Sequence, residues 1–297
     1  MKASEVSVCG VIGAGQMGAG IAQVAAAAGL SVLLLDANRA TAEQAKARIG
    51  DILGKQVDKG KMEAATRDAI LGRITPIGSP QDLAPADIVV EAATESLDLK
   101  LRLLREADAA TREDALLASN TSSISITKLA SVVKRPDLFV GMHFMNPVPL
   151  MKLVEVIRGL QTSTEAYETV RDLSVRLGKT VITSRDQPGF LVNRMLVPFL
   201  NEACFALAES TGTIEDIDTG AKLGLGHPMG PFELADLIGL DTLLAIAEVL
   251  HREIGDDKYR PSTLLRNLVA AGYYGKKSGR GFYAYDEKGQ RTPGTSP

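Results

Sequence analysis

A glycine-rich turn between two short apolar strands constrains this chain more than any other feature. Residues 6–36 read as strand, turn, helix and second strand. Val6, Val8, Val11 and Ile12 form a β-branched run leading directly into Gly13-Ala14-Gly15-Gln16-Met17-Gly18. Ile21, Ala22, Val24 and Ala25 recur at helical spacing, and Gly29 stands where a helix C-cap belongs. Residues 32–35 are a second apolar strand that ends in Asp36.

Each part has a physical job at a dinucleotide. Gly13 permits a tight turn off the strand, Gly15 lets a pyrophosphate approach the backbone, and Gly18 lets the helix pack closely on the strand. The helix N-terminus offers free N–H groups and a positive dipole end, and Gln16 and Met17 count with the glycines as cofactor contacts. Asp36 follows Gly18 by eighteen positions, where an acid accepts hydrogen bonds from the adenine ribose. Its carboxylate favours NAD over NADP, because a 2′-phosphate would sit against it. Arg39 is close enough in sequence to soften that preference, though it reads more readily as a solvated loop residue.

The 297 residues give a prior of two domains. Alternating strands and helices run to residue 186, and after Pro188 the strand patterns stop. This predicts an α/β chain: a Rossmann-like N-terminal domain with a mostly parallel sheet over 1–186, then an all-α domain over 187–297. Strands are expected at 74–76, 87–91, 116–119, 138–142, 153–157 and 180–184, and helices at 41–61, 97–110, 126–133 and 167–177. Beyond Pro188, helices are expected at 190–208, with a kink at Pro198, at 214–220, at 232–250 and at 262–270. The polar tail 286–297 reads as frayed.

A net charge of −3 gives no support for a nucleic-acid partner, and no apolar run approaches the ~20 residues of a membrane helix. Cys9 and Cys204 lie far apart in apolar stretches and read as buried thiols, which suits a reducing, cytoplasmic setting. No metal is expected.

The helix at 41–61 carries Ala45, Ile49, Ile52, Leu53 and Val57 on one face, and Lys46, Arg48, Lys55, Lys59 and Lys61 give it a basic character. That is either a solvated face or a docking surface for an anionic substrate tail. Asn120-Thr121-Ser122-Ser123 at a strand exit is either a helix N-cap or a site lining. Oxidising an alcohol with a nicotinamide also requires a base for the hydroxyl proton, and a histidine held by a carboxylate meets that need. His143, leaving a strand, and Glu155, on the next strand, fit the pair.

Asn120-Thr121-Ser122-Ser123, Gly141-Met142-His143-Phe144-Met145-Asn146-Pro147, Leu153-Val154-Glu155-Val156 and Asp186-Gln187-Pro188-Gly189-Phe190-Leu191-Val192-Asn193-Arg194 resemble the signature blocks of the 3-hydroxyacyl-CoA dehydrogenase family. The ending from Gly275 to Tyr283 is similar to that family's C-terminus, so the resemblance covers nearly the whole chain. It implies reversible NAD-dependent oxidation of a short (S)-3-hydroxyacyl-CoA, with 3-hydroxybutyryl-CoA the expected ester. His143 would be the base, Glu155 its partner, and Ser122 a hydrogen-bond donor to the reacting oxygen. Asn193, at the start of the second domain, would reach the site from the other side. Glu95, Lys100, Ser122, Asn146 and Lys277 match positions that touch NAD, and Lys59 matches a CoA contact. A family serine that also contacts CoA is replaced here by Ile52. His227 stands where the family has an aromatic residue and reads as structural, and His251 reads as an exposed helix residue. The resemblance further implies a homodimer through the C-terminal domain. A dehydrogenase for a free hydroxy acid or sugar acid, or a non-catalytic NAD binder, are the competing readings.

Overall fold

The computed structural model describes residues 1–292. The chain divides into two compact units, Met1–Gln187 and a second beginning at Pro188, one residue beyond the expected boundary.

The first unit is a single eight-stranded sheet with helices on its faces. Its strands are β1 (Val8–Ile12), β2 (Ser31–Leu35), β3 (Ile74–Ile77), β4 (Ile88–Glu91), β5 (Leu116–Ser119), β6 (Phe139–Phe144), β7 (Leu153–Arg158) and β8 (Thr180–Arg185). They lie in the order β3-β2-β1-β4-β5-β6-β7-β8. All pairings are parallel except β6 with β7. Pro76 is tolerated because β3 is an edge strand that needs no donor on its outer side. Helices α1 (Gln16–Ala27), α2 (Arg39–Asp58) and α6 (Thr164–Arg176) share one core with the sheet, and α3 (Ala64–Gly72), α4 (Leu97–Ala110) and α5 (Ile126–Ala130) complete the set. Asn38 caps α2 by accepting from the Thr41 N–H (3.0 Å). The free cysteine Cys9 is buried in this core, and burial pushes its thiol up to about 12.

Three local expectations need correction. Helix α3, in a stretch with weak periodicity, was not foreseen. The strand expected at 138–142 continues through Phe144, so His143 lies within β6 rather than beyond it. Ile52 is not on the buried face of α2: it is 51% exposed, while Ala45, Ile49 and Leu53 are buried.

The second unit is built of α7 (Val192–Ala208), α8 (Ile214–Thr219), α9 (Pro231–Ile238), α10 (Leu240–Ile254) and α11 (Thr263–Ala270) around its own core. Helix α7 is one continuous helix with Pro198 inside it. The single helix expected at 232–250 is two, broken at Gly239, whose φ of 102° no helix can hold. Cys204 is buried here with a free thiol. Of the tail, Tyr285 and Arg291 form an antiparallel bridge, and 293–297 lie outside the described residues.

Candidate active site

The sheet order reverses direction at β1 and β4, which lie side by side with Ile12 opposite Glu91. Loops leaving two neighbouring strands on opposite courses open a crevice at their C-terminal ends, the place where parallel sheets bind ligands. A cavity of about 800 Å³ sits there, lined by Gly13, Ala14, Gly15, Asp36, Ala92, Ala93 and Thr94 among others.

The glycine loop is shaped as its residue types demand. A Cβ on Gly18 would lie 1.7 Å from the Gly13 carbonyl oxygen, so α1 reaches the turn only without a side chain there. A Cβ on Gly15 would meet nothing within 4 Å, leaving an open cradle at the N-terminus of α1. Asp36 lines this cavity, and its carboxylate also holds the turn: Oδ2 accepts from the Ala14 N–H (2.6 Å) and Oδ1 from the Ala37 N–H (2.7 Å). Arg48 of α2 donates to the Ala14 carbonyl (3.1 Å), so both sides of that residue are fixed by charged side chains. Arg39 is mostly solvent-exposed and pairs with Glu43. Gln16 donates to the Asn146 side-chain oxygen (2.9 Å), bringing two expected cofactor contacts together. These features fit an NAD: a backbone cradle for the pyrophosphate and an acid beside the ribose position.

His143 and Glu155 are cross-strand partners in the antiparallel β6–β7 pair, and directly opposed residues share a face. His143 Nδ1 lies 2.8 Å from Glu155 Oε2, and both side chains are buried. Ser122 lies just beyond β5, whose Ser119 pairs with Gly141 of β6, so Ser122 and His143 come from the same ends of adjacent strands.

Glu95 organises the turn that carries Ser122. Its Oε1 accepts from the Thr121 hydroxyl (2.5 Å) and from the N–H groups of Ser122 (2.9 Å) and Ser123 (3.2 Å). Desolvation would raise this carboxyl, but the Lys100 ammonium and these hydrogen bonds outweigh it and hold it below its ordinary value. Lys100 itself is 1% exposed, its ammonium against Glu91, Glu95 and the Ala93 carbonyl. The Asn120-Thr121-Ser122-Ser123 stretch is thus more than a cap: Asn120 Oδ1 accepts from the Phe144 N–H (2.9 Å), tying the β5 exit to the strand of His143.

A second cavity, of about 850 Å³, lies along α1, α2 and the 147–150 loop. Ile52, Lys55, Lys59 and Lys61 line it, as do Val148 and Leu150, so an apolar floor is rimmed by cations. Arg48 lines both cavities. The buried Lys179 holds the loop from behind, donating to the carbonyls of Val148 (2.5 Å) and Met151 (2.9 Å). Burial pulls its ammonium below the usual lysine range.

Asn193 and Lys277 belong to the second unit. Asn193 is in the first turn of α7, and Lys277 donates to Asp241 (2.6 Å). The segment carrying Lys277 is fastened by buried Asp236, which accepts from the N–H groups of Phe282 and Tyr283 and from the Tyr285 hydroxyl (each 2.9 Å). His227 packs edge-on against Phe199 with ring centroids 5.0 Å apart, a structural contact. His251, expected to be exposed, is half-buried, with Nε2 3.4 Å from Asp257. Among the described residues, no group of three or more His, Cys, Asp or Glu is placed to hold a metal ion.

Sequence reading passed over two members of this site, Glu91 and Arg48's contact with the loop. Glu91 had a signal: an acid closing the apolar run Ile-Val-Val on a strand buried on both faces must find a partner.

Residues 8–187 match the family described as 3-hydroxyacyl-CoA dehydrogenase, NAD binding domain, and residues 189–285 match its C-terminal domain. The chain is 53% identical over 276 residues to a probable 3-hydroxybutyryl-CoA dehydrogenase of Deinococcus radiodurans, covering 93% of this chain and 99% of that one. It is 44% identical over 282 residues to the mitochondrial hydroxyacyl-coenzyme A dehydrogenase of Homo sapiens, covering 93% and 90%. The crystal structure of (S)-3-hydroxybutyryl-CoA dehydrogenase from Ralstonia eutropha superposes with a TM-score of 0.93 at 50% identity, covering 95% of this chain and all (100%) of that one.

Proposed function

Because the chain belongs to the 3-hydroxyacyl-CoA dehydrogenase family, we propose that it oxidises (S)-3-hydroxybutyryl-CoA to the 3-oxoacyl-CoA, reversibly and with NAD. The observation that carries this reading is the buried His143–Glu155 pair on β6 and β7, in the same sheet as the β1/β4 crevice and separated from β4 by β5. Bound NAD supplies the hydride acceptor. The glycine loop and α1 N-terminus cradle its pyrophosphate, and Asp36 takes the ribose hydroxyls. Glu155 fixes Nδ1 of His143, so the substrate hydroxyl proton passes to Nε2, and the carboxylate stabilises the imidazolium that forms. The Ser122 hydroxyl, whose one proton makes a long 3.3 Å contact to Glu95 Oε1, would turn from it to donate to the reacting oxygen as its charge changes. The apolar floor and lysine rim of the second cavity suit the CoA moiety, with Lys59 on its phosphates. The roles of Asn193 and Lys277 rest on the family resemblance.

The reading includes a homodimer through the second unit, supported by exposed Met195, Leu223 and Leu225. It also places the enzyme in the cytoplasm, which two buried free thiols suit. No helix among the described residues is long and apolar enough to cross a membrane.

The test is NADH formation from (S)-3-hydroxybutyryl-CoA, its (R) isomer and free 3-hydroxybutyrate. Turnover of the (S) ester alone is expected. Preference for the free acid would move the chain to another substrate class, and NADH binding without turnover of any ester would leave a nucleotide binder.

A further inference from the structure

We infer that Glu91 and Lys100 form a buried charged pair that positions Glu95 and, through it, the Ser122 turn, so that Lys100 acts behind the site as a positioning residue. The inference rests on the proposed role of Ser122 and extends it to Glu91, to which the resemblance gives no role, and to Lys100, which the resemblance gives as an NAD contact and which is 1% exposed here.

The bonding of each group supports it. The Lys100 ammonium has three protons, and its neighbours account for them: Glu91 Oε1 (2.8 Å) and Oε2 (3.0 Å), the Ala93 carbonyl (3.1 Å) and Glu95 Oε2 (3.3 Å). At 1% exposure it offers little surface to a ligand. Glu91, fully buried, also accepts from the Ala93 N–H at Oε1 (2.6 Å) and from the Ser119 hydroxyl at Oε2 (2.6 Å). It therefore ties the end of β4 to the end of β5 and to the Ala92–Thr94 wall of the cofactor cavity.

Glu95 divides its two oxygens. Oε2 faces Lys100, and Oε1 receives the Thr121, Ser122 and Ser123 donors, including the hydroxyls of Ser122 (3.3 Å) and Ser123 (3.2 Å). A carboxylate on a flexible side chain keeps such a division only if one oxygen is pinned. Lys100 supplies the pin and Glu91 holds Lys100. The charged groups facing Glu95 are Lys100 from α4 and, behind it, Glu91 from β4, and the β5–α5 turn brings hydroxyls and amides. Without the ammonium, only the hydrogen bonds of the turn oppose that desolvation, so the Glu95 carboxyl takes up a proton at higher pH and turns from acceptor to donor.

The decisive variants are E91Q, K100M and the double variant E91Q/K100M. K100M alone leaves two acids without a cation and can fail to fold; the double variant removes both charges of the buried pair together. NADH affinity, read by nicotinamide fluorescence, and kcat are each followed across pH. E91Q leaves the ammonium on Glu95 but withdraws the charge that holds it, and should displace the acid limb in the same direction as the double variant and by less. The double variant should lose NADH affinity and turnover on the acid side, with the limb displaced upward by about one to three pH units and recovery at high pH. A profile that coincides with wild type would overturn the inference, as would a loss equal at every pH, which marks a packing role. NADH binding needs no acyl substrate. If wild type turns over no hydroxyacyl-CoA, the proposed function falls while the binding profile still judges the role of Lys100.

Discussion

His143 and Glu155 are joined twice, as register partners across the antiparallel β6–β7 pair and by a 2.8 Å contact from Nδ1 to Oε2. The double connection matters because a base must present one nitrogen in a fixed direction. Strand pairing sets the backbone, and the carboxylate sets the ring. The β6–β7 pair is the one antiparallel pairing in the sheet, and it brings two residues twelve positions apart to face each other.

His143→Ala should leave NADH affinity near wild type and lower kcat by roughly 10²–10⁴-fold. Glu155→Gln keeps the shape but withdraws the charge, and should also lower kcat, with KM changed less. Steady-state kinetics beside an NADH titration check both. Near-normal turnover in His143→Ala would remove the assigned base.

Asp36→Asn separates two roles of one carboxylate. The amide oxygen can still accept from the Ala14 N–H, now 2.6 Å from Oδ2, and the exposed Ala37 N–H, now 2.7 Å from Oδ1, passes to water, so the turn should persist. The ribose loses a charged acceptor worth about 1.5–3 kcal/mol, so NADH affinity should fall roughly tenfold or more while NADPH binding falls less or improves. Equal losses for the two nucleotides would show that Asp36 serves the turn alone.

Lys59→Ala should raise KM for the CoA ester by roughly 2–5-fold, the scale of a solvent-exposed ion pair, with kcat unchanged. A truncated thioester lacking the nucleotide should show no such change. Equal effects on the two substrates would place the CoA phosphates elsewhere than on the rim of the second cavity.

Asp87 fastens the start of β1, accepting at Oδ2 from the N–H groups of Ser7 (2.6 Å) and Val8 (2.8 Å), and Arg112 pairs with its other oxygen. Burial pushes its carboxyl up, but Arg112 and these hydrogen bonds outweigh burial and hold it below its ordinary value. A carboxyl lowered in the native state adds stability that is complete above its unfolded pKa of about 3.9. That stability drains as pH falls from there through the lower native value. Asp87→Asn should therefore cost roughly 1–3 kcal/mol at neutral pH, with the two Tm curves converging in acid. A gap that stays constant with pH would show that the charge contributes nothing.

What could be read from the chain was local. Gly13, Gly15, Gly18 and Asp36 form one βαβ unit within about thirty residues, and their roles follow from turn geometry, close packing and the helix N-terminus. Gly239 shows where such reading fails: helical spacing runs through it unbroken, and the stop becomes visible only in a φ of 102°. Ile52 shows the same for burial, since its spacing places it with Ile49 and Leu53, yet it is left 51% exposed at the edge of a cavity.

By itself the sequence determined the class of fold, the nucleotide turn and the pairing of an imidazole with an acid, because each is carried by neighbours along the chain or by one strand and the next. Tertiary structure alone decided that Glu91, Lys100, Glu95 and the Ser122 turn form one connected group. Those residues come from β4, the loop after it, α4 and the exit of β5, and only the packing of the sheet removes water from between them. Once water is gone, a buried charge must find its partner across space, and no periodicity in the chain records which one it will be.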